Sequence, residues 1–200
     1  MKFKRLNRHL EDCLFIVSGE GYTEYDYLNI IKYLFNCNKI KVVPVEPSNK
    51  SSPLDVVERL KEFINDNKEN FHLQSYDKKW ILLDVDHHYN NTHQCNLSEA
   101  LKQARQAGYE VAISNPRFDF WLLSHFLRVD ESISDIENKI KDYLPGYCKR
   151  IPAGAITQEQ VYTASSNCAG FKFHPGNKSV RGSEVYKLIE EIKSTLEPWL

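Results

Sequence analysis

Two carboxylates spaced two residues apart, Asp84 and Asp86, close the apolar run Trp80-Ile81-Leu82-Leu83. Four consecutive apolar residues behind a lysine pair read as a strand buried on both faces, as in a parallel sheet. Ligands of open α/β sheets sit beyond the carboxyl ends of the strands, so these acids are expected on the binding rim. The period-two geometry of a strand puts them on one side with Cα atoms about 7 Å apart. Like charges at that spacing repel, and a divalent cation with a preference for oxygen, Mg²⁺ or Mn²⁺, is the simplest relief. The plain alternative is a pair of solvated carboxylates that needs no ion.

A second acidic group strengthens the metal reading. Cys13-Leu14-Phe15-Ile16-Val17 reads as a first buried strand ended by Ser18-Gly19-Glu20-Gly21. Glu20 therefore leaves the same rim as Asp84 and Asp86, and Glu24, four residues on, falls in the first turn of the next helix and points back to it. Three or four carboxylates gathered without matching arginines are costly unless a cation joins them.

Further candidates flank this group. Asn115 and Arg117 follow a fourth strand, where an amide and a guanidinium could bind phosphate; equally, Asn115-Pro116 could start a helix and Arg117 pair with a surface acid. His125 lies on the apolar face of a helix and reads first as a satisfied core histidine, second as a site residue. Lys149 and Arg181, from the C-terminal part, could reach a nucleic acid. His87, His88, His93 and Cys95 do not make a complete zinc spacing. Phe118, Phe120, Trp121 and Phe126 read as core.

The elements that must position these residues alternate. After the first strand, Thr23 caps a helix from Glu24 to about Phe35, Ile40 to Val45 is a second strand placed at an edge by Pro44, and Leu54 to about Asn67 is a second helix. The strand from Trp80, a helix from Leu97 to Gly108, a strand from Tyr109 to Ile113 and an apolar helix from Phe118 to Leu127 follow. Strand and helix alternating four times predict a parallel sheet of about four strands flanked by helices. Beyond Val129 the strand signal stops: helices are expected over Glu131–Leu144, Thr157–Asn167 and Ser183–Leu196, with Cys168–Gly182 a loop. The division expected is an α/β domain over 1–129 and a helical C-terminal extension over 130–200, which offers a surface for a homodimer contact.

Composition bounds the function. Two hundred residues with 42% hydrophobic content suffice for a full core. No apolar run reaches membrane-spanning length, and five scattered cysteines without a Cys-x-x-Cys pair fit reduced thiols, so a soluble cytoplasmic protein is expected. A net charge of −1 excludes a whole-molecule basic field, so a nucleic-acid partner would have to meet a local patch.

Ser18-Gly19-Glu20-Gly21 with Thr23-Glu24, followed by Leu83-Asp84-Val85-Asp86, resembles the signature of the Toprim fold of topoisomerases, primases and OLD-type nucleases. Glu20-Gly21-x-Thr23-Glu24, Asp84-x-Asp86 and Ser114-Asn115-Pro116-x-Phe118-Asp119-x-Trp121-Leu122-Leu123-x-His125-Phe126 are similar in order and spacing to the RloB-like family of bacterial defence loci. The resemblance covers residues 13 to 127 well and the tail loosely, and Asp119 stands where that pattern leads one to expect Glu. It implies a Toprim-like (Rossmann-like) nuclease cutting DNA or RNA, with Glu20 in acid/base chemistry, Asp84 and Asp86 holding Mg²⁺ (or Mn²⁺), and Glu24 as an additional ligand. It also implies a role in anti-phage defence under an ABC/AAA-type ATPase partner. Two other readings remain: a binding module that keeps the scaffold without catalysis, and an Asp-x-Asp phosphohydrolase, whose motif would normally follow the first strand rather than the third.

Overall fold

The computed structural model describes residues 12–85, 94–130, 133–175 and 179–197. Asp86, His87, His88 and His93 lie outside the described residues, as does the Cys95 side chain. The elements in chain order are β1 (Cys13–Ser18), α1 (Tyr22–Phe35), β2 (Ile40–Val45), α2 (Pro53–Asp66), α3 (Lys68–Phe71), β3 (Lys78–Asp84), α4 (Gln94–Gln106), β4 (Glu110–Asn115), α5 (Phe118–Ser124), α6 (Ile136–Lys141), α7 (Gln158–Cys168), β5 (Gly182–Ser183) and α8 (Val185–Leu196).

The strands form one mixed sheet in the order β2-β1-β3-β4-β5, parallel throughout except for the last pair. β1 is buried at all six positions, as its unbroken apolar run demands. Its alternate residues serve two cores. Phe15 and Val17 join Trp80, Leu82 and Ala112 against α1, α5, α7 and α8, while Leu14 and Ile16 join Ile81 and Leu83 against α2 and α4. β2 is the edge strand that Pro44 requires, since proline has no N–H to give to a neighbour on both sides.

The C-terminal residues complete the first of these cores. Ile140, Leu144, Ile151, Val161, Leu188, Ile189 and Ile192 pack in the same cluster as Tyr27 and Trp121, and the Trp80 indole donates from Nε1 to Glu191 at 2.8 Å. Trp121 is fully buried, and its truncation to Ala would cost about 3–5 kcal/mol.

Several boundaries differ from the sequence expectation: α1 starts at Tyr22 with Gly21 rather than Thr23 before it, α3 was not expected, and β5, α6 and α5 differ as well. Cys168–Gly182 was expected to be loop throughout, yet Gly182 and Ser183 pair antiparallel with Asn115 and Ser114. A two-residue strand has no periodicity to read, and Gly182 is there because a Cβ would fall 2.2 Å from the Phe171 ring. The helix expected from Glu131 starts later, at Ile136, where the Asp135 carboxylate caps it by accepting from the Asn138 N–H at 3.0 Å. The helix from Phe118 ends at Ser124 rather than Leu127. No described helix is long and apolar enough to cross a membrane.

Candidate active site

The chain runs from β1 outward to β2 and then crosses back to β3 on the other side of β1, so the carboxyl ends of β1 and β3 border a crevice at a topological switch point. A cleft of about 230 Å³ opens there, lined by Glu20, Gly21, Thr23, Glu24, Ser51, Asp84, Arg117, Phe118, Asp119 and Lys149.

Its inner wall is acidic. Glu20, in the turn after β1, accepts the Asp84 N–H at Oε1 over 2.8 Å, which ties the end of β1 to the end of β3. Glu24 reaches back from the first turn of α1 and accepts the Gly21 N–H at 3.2 Å. That return brings its side chain so near Gly19 that a Cβ there would lie 2.6 Å from the Glu24 Cβ, so the position takes glycine. Burial, followed by the charges of Glu20 and Asp119, raises the Glu24 carboxyl to about 7 although backbone N–H groups oppose the shift. Asp84, half-buried in the cleft wall, is pushed well above the ordinary carboxylate range by desolvation first and then by Glu24 and Glu20; the Phe118 N–H only partly offsets this.

The outer wall is compensated. Asp119, on α5, has a side chain only 4% exposed, and it accepts from the Tyr147 hydroxyl at 2.6 Å and from Lys149 Nζ at 2.5 Å. Arg117 Nε stands 3.7 Å from the same carboxylate. Lys149 also pairs with Glu137 at 3.1 Å; burial lowers its pKa, but Asp119 and Glu137 together outweigh that and raise it. Burial and the Asp119 charge push the Tyr147 phenol upward. The segment carrying these groups is latched to α1: Thr23 Oγ1 donates to the Lys149 carbonyl at 2.9 Å, and Arg150 grips Asp26 through Nε at 2.6 Å and Nη2 at 2.9 Å.

Of the residues singled out in the sequence, Glu20, Glu24, Asp84, Arg117 and Lys149 meet in the cleft. Asn115 and His125 do not. The Asn115 amide is turned to the antiparallel edge, where Nδ2 donates to the Val180 carbonyl at 2.7 Å. His125 is 2% exposed in the core; Nδ1 donates to the Trp121 carbonyl at 2.9 Å and Nε2 accepts from the Tyr27 hydroxyl at 3.3 Å. Burial lowers its pKa to about 4, which keeps the ring neutral at pH 7. Arg181 is used elsewhere, donating to the Ile133 carbonyl at 2.8 Å.

The expectation of acids without nearby arginines is corrected. Besides Arg117, Arg59 of α2 lies behind the Glu20 turn, donating to the Gly19 carbonyl at 2.7 Å and to the Lys50 carbonyl. Burial lowers its pKa against the pull of Asp55, Glu20 and Glu24. Nothing local in the sequence marks Arg59, Tyr147 or Glu137 as belonging to the site, because each comes from an element whose approach is set by tertiary packing.

Among the described residues no three His, Cys, Asp or Glu side chains are gathered as a metal-ligand group. The donor chemistry of Glu20, Glu24 and Asp84 nevertheless fits a hard cation. All offer oxygen, and burial and mutual repulsion leave Glu24 and Asp84 favouring a proton or some other positive partner. A larger groove of about 540 Å³ between α1 and residues 151–158 is mainly apolar and contains none of these acids.

This is a doubly wound α/β protein with a carboxylate-lined cleft at its switch point. The family model described as RloB-like protein matches residues 14–192, and the chain belongs to that family. No curated protein and no solved structure matches it.

Proposed function

We propose that the chain is a Mg²⁺- or Mn²⁺-dependent nuclease of Toprim type that hydrolyses phosphodiester bonds in DNA or RNA, an effector of anti-phage defence held in check by a partner ATPase. The observation that carries the reading is the convergence of Glu20, Glu24 and Asp84 on one cleft, with Glu20 hydrogen-bonded to the Asp84 backbone. Membership of the RloB-like family supports it.

In this reading Asp84 and Asp86 hold the cation, with Glu24 beside them. When bound, the metal supplies charge neutralisation at the phosphate and a lowered pKa for a coordinated water. Glu20 takes or returns the proton of the attacking or leaving oxygen. Arg117 and Lys149 place positive charge opposite the inner acids, where the nonbridging oxygens of a phosphodiester would lie. Burial of Glu24 and the neighbouring charges keep a proton on the cleft until a cation displaces it, so cation uptake should release protons.

The test uses the purified chain with Mg²⁺ or Mn²⁺, with and without a candidate partner ATPase, on labelled DNA and RNA. Cutting is expected in at least one combination, and Glu20→Gln, Asp84→Asn or Asp86→Asn should each abolish it. Cleavage that survives Glu20→Gln and Asp84→Asn would sink the assignment.

A further inference from the structure

Next in the chain to residues that line the cleft, two exposed planar groups have been brought together. Tyr22 stands between Gly21 and Thr23, both of which line the cleft, and is 46% exposed. Arg150 follows Lys149, also a lining residue, and its side chain is 65% exposed. They come from positions 128 residues apart in the chain, yet the Arg150 guanidinium lies over the Tyr22 ring, 5.1 Å from its centroid. Both are held. Asp26 takes the guanidinium through two hydrogen bonds of 2.6 and 2.9 Å, and the Tyr25 ring meets Tyr22 edge-on at 6.4 Å.

We propose that Tyr22 and Arg150 form a stacking platform that receives an unpaired nucleobase next to the phosphate in the cleft, so that the substrate of this site is single-stranded nucleic acid or an unpaired segment of a folded one. This rests on the nuclease reading for the cleft itself and adds the form of the polymer.

The argument is one of magnitudes. Duplex binding draws its strength from lysines and arginines that replace counterions along the phosphates. Here the cleft carries Glu20, Glu24, Asp84 and Asp119 against Arg117 and Lys149, the Arg150 charge is matched by Asp26, and the chain as a whole is at −1. Phosphate attraction is therefore weak. Stacking on an aromatic or guanidinium plane supplies about 1–3 kcal/mol per base and is open only to bases not already stacked within a duplex. At about 230 Å³ the cleft is also smaller than the 300–1,000 Å³ common for ligand pockets, so it suits a phosphodiester unit while the base rests outside, on the platform. Because Arg150 is already fixed by Asp26, the platform loses little conformational freedom on binding.

The experiment is fluorescence anisotropy in Ca²⁺ with a short fluorescein-labelled single strand and the same sequence as a duplex, using the full chain and its Tyr22→Ala and Tyr22→Trp variants. The single strand is expected to bind at least about tenfold more tightly than the duplex, Tyr22→Ala to weaken single-strand binding about tenfold without touching duplex binding, and Tyr22→Trp to retain it. Equal affinity for the two forms, no binding of the single strand, or no change in Tyr22→Ala with an unaltered melting temperature would overturn the proposal. The two readings fail separately. Tyr22-dependent single-strand binding without cleavage keeps the platform and removes the nuclease, whereas cleavage of duplex that Tyr22→Ala leaves intact does the reverse.

Discussion

On the inner wall of the cleft, Glu24 and Asp84 are raised by burial first, then by the Glu20 charge on both and by the Glu24 charge on Asp84. On the outer wall Asp119 is at least as buried, but Tyr147, Lys149 and Arg117 surround it. The same chemical group is thus finished on one wall and, even with Arg59 behind the Glu20 turn, left incompletely compensated on the other. A carboxylate with its hydrogen bonds and cations in place is a structural tie. Carboxylates pressed together without one form a site that awaits a ligand, and the contrast separates residues that build the cleft from residues that would work in it.

The widest separation between the walls should be seen in activity. Asp84→Asn keeps shape and removes charge from the inner wall, and a loss of at least about 10³-fold in cleavage rate, roughly 4 kcal/mol, is expected with a melting temperature no lower than that of the parent. Stability should show the opposite ranking. Asp119→Ala leaves the Tyr147 hydroxyl without its acceptor and Lys149 with Glu137 alone. A cost of about 3 kcal/mol follows, or about 6–12 °C in a chain of this size, checked by thermal melting. If Asp119→Ala melts like the parent while Asp84→Asn unfolds, the two walls have been assigned the wrong way round.

Glu24→Gln sharpens the comparison through pH. The carboxyl moves from an ordinary 4.5 to about 7 in the folded protein. A folded-state pKa above the unfolded one contributes stability that is complete below the unfolded value and is lost as pH rises through about 7. Removing the group should therefore leave metal-free stability near the parent's at pH 4 and raise it by about 3 kcal/mol at pH 8, a gain of several degrees. Saturating Mg²⁺ should erase that gain, since a cation that stabilises the parent has less to bind in the variant. Identical pH dependence in parent and variant would show that Glu24 is not under strain.

How much of this could be read in the sequence depended on the range of the interaction. Apolar runs and helical periodicity placed β1, β2, β3 and β4 and most helices, because burial on both faces of a parallel strand leaves a continuous apolar run. The acids were legible for a related reason: residues that follow parallel strands share one rim whatever the loops do, so Glu20 and Asp84 were bound to be neighbours. Arg59 and Tyr147 were not legible, since each reaches the cleft through packing of α2 or of the tail segment rather than through strand order. His125 caps the end of a helix whose strongly apolar run read as core, which favoured the core reading. Asn115 misled because a polar residue after a strand serves a ligand or a sheet edge equally well, and a two-residue β5 leaves no pattern to tell them apart.

The smallest expected effect concerns the hinge between the walls. Thr23 belongs to the inner side through α1, and its hydroxyl donates to the carbonyl of Lys149, which has the left-handed backbone φ of 57° that turns its side chain toward Asp119. A non-glycine residue in that conformation costs some energy by itself and is kept only by surrounding contacts. Thr23→Val preserves shape and removes the donor, so a loss of about 1 kcal/mol, or about 2–4 °C, is expected. The more telling measurement is hydrogen exchange. If the hydroxyl fixes the outer wall, amides of Tyr147 to Ile151 should exchange faster in Thr23→Val while those of β1 and β3 are unchanged. Uniform acceleration across the chain would instead make Thr23 a general contributor to stability, and the two walls would then be joined by their packing alone.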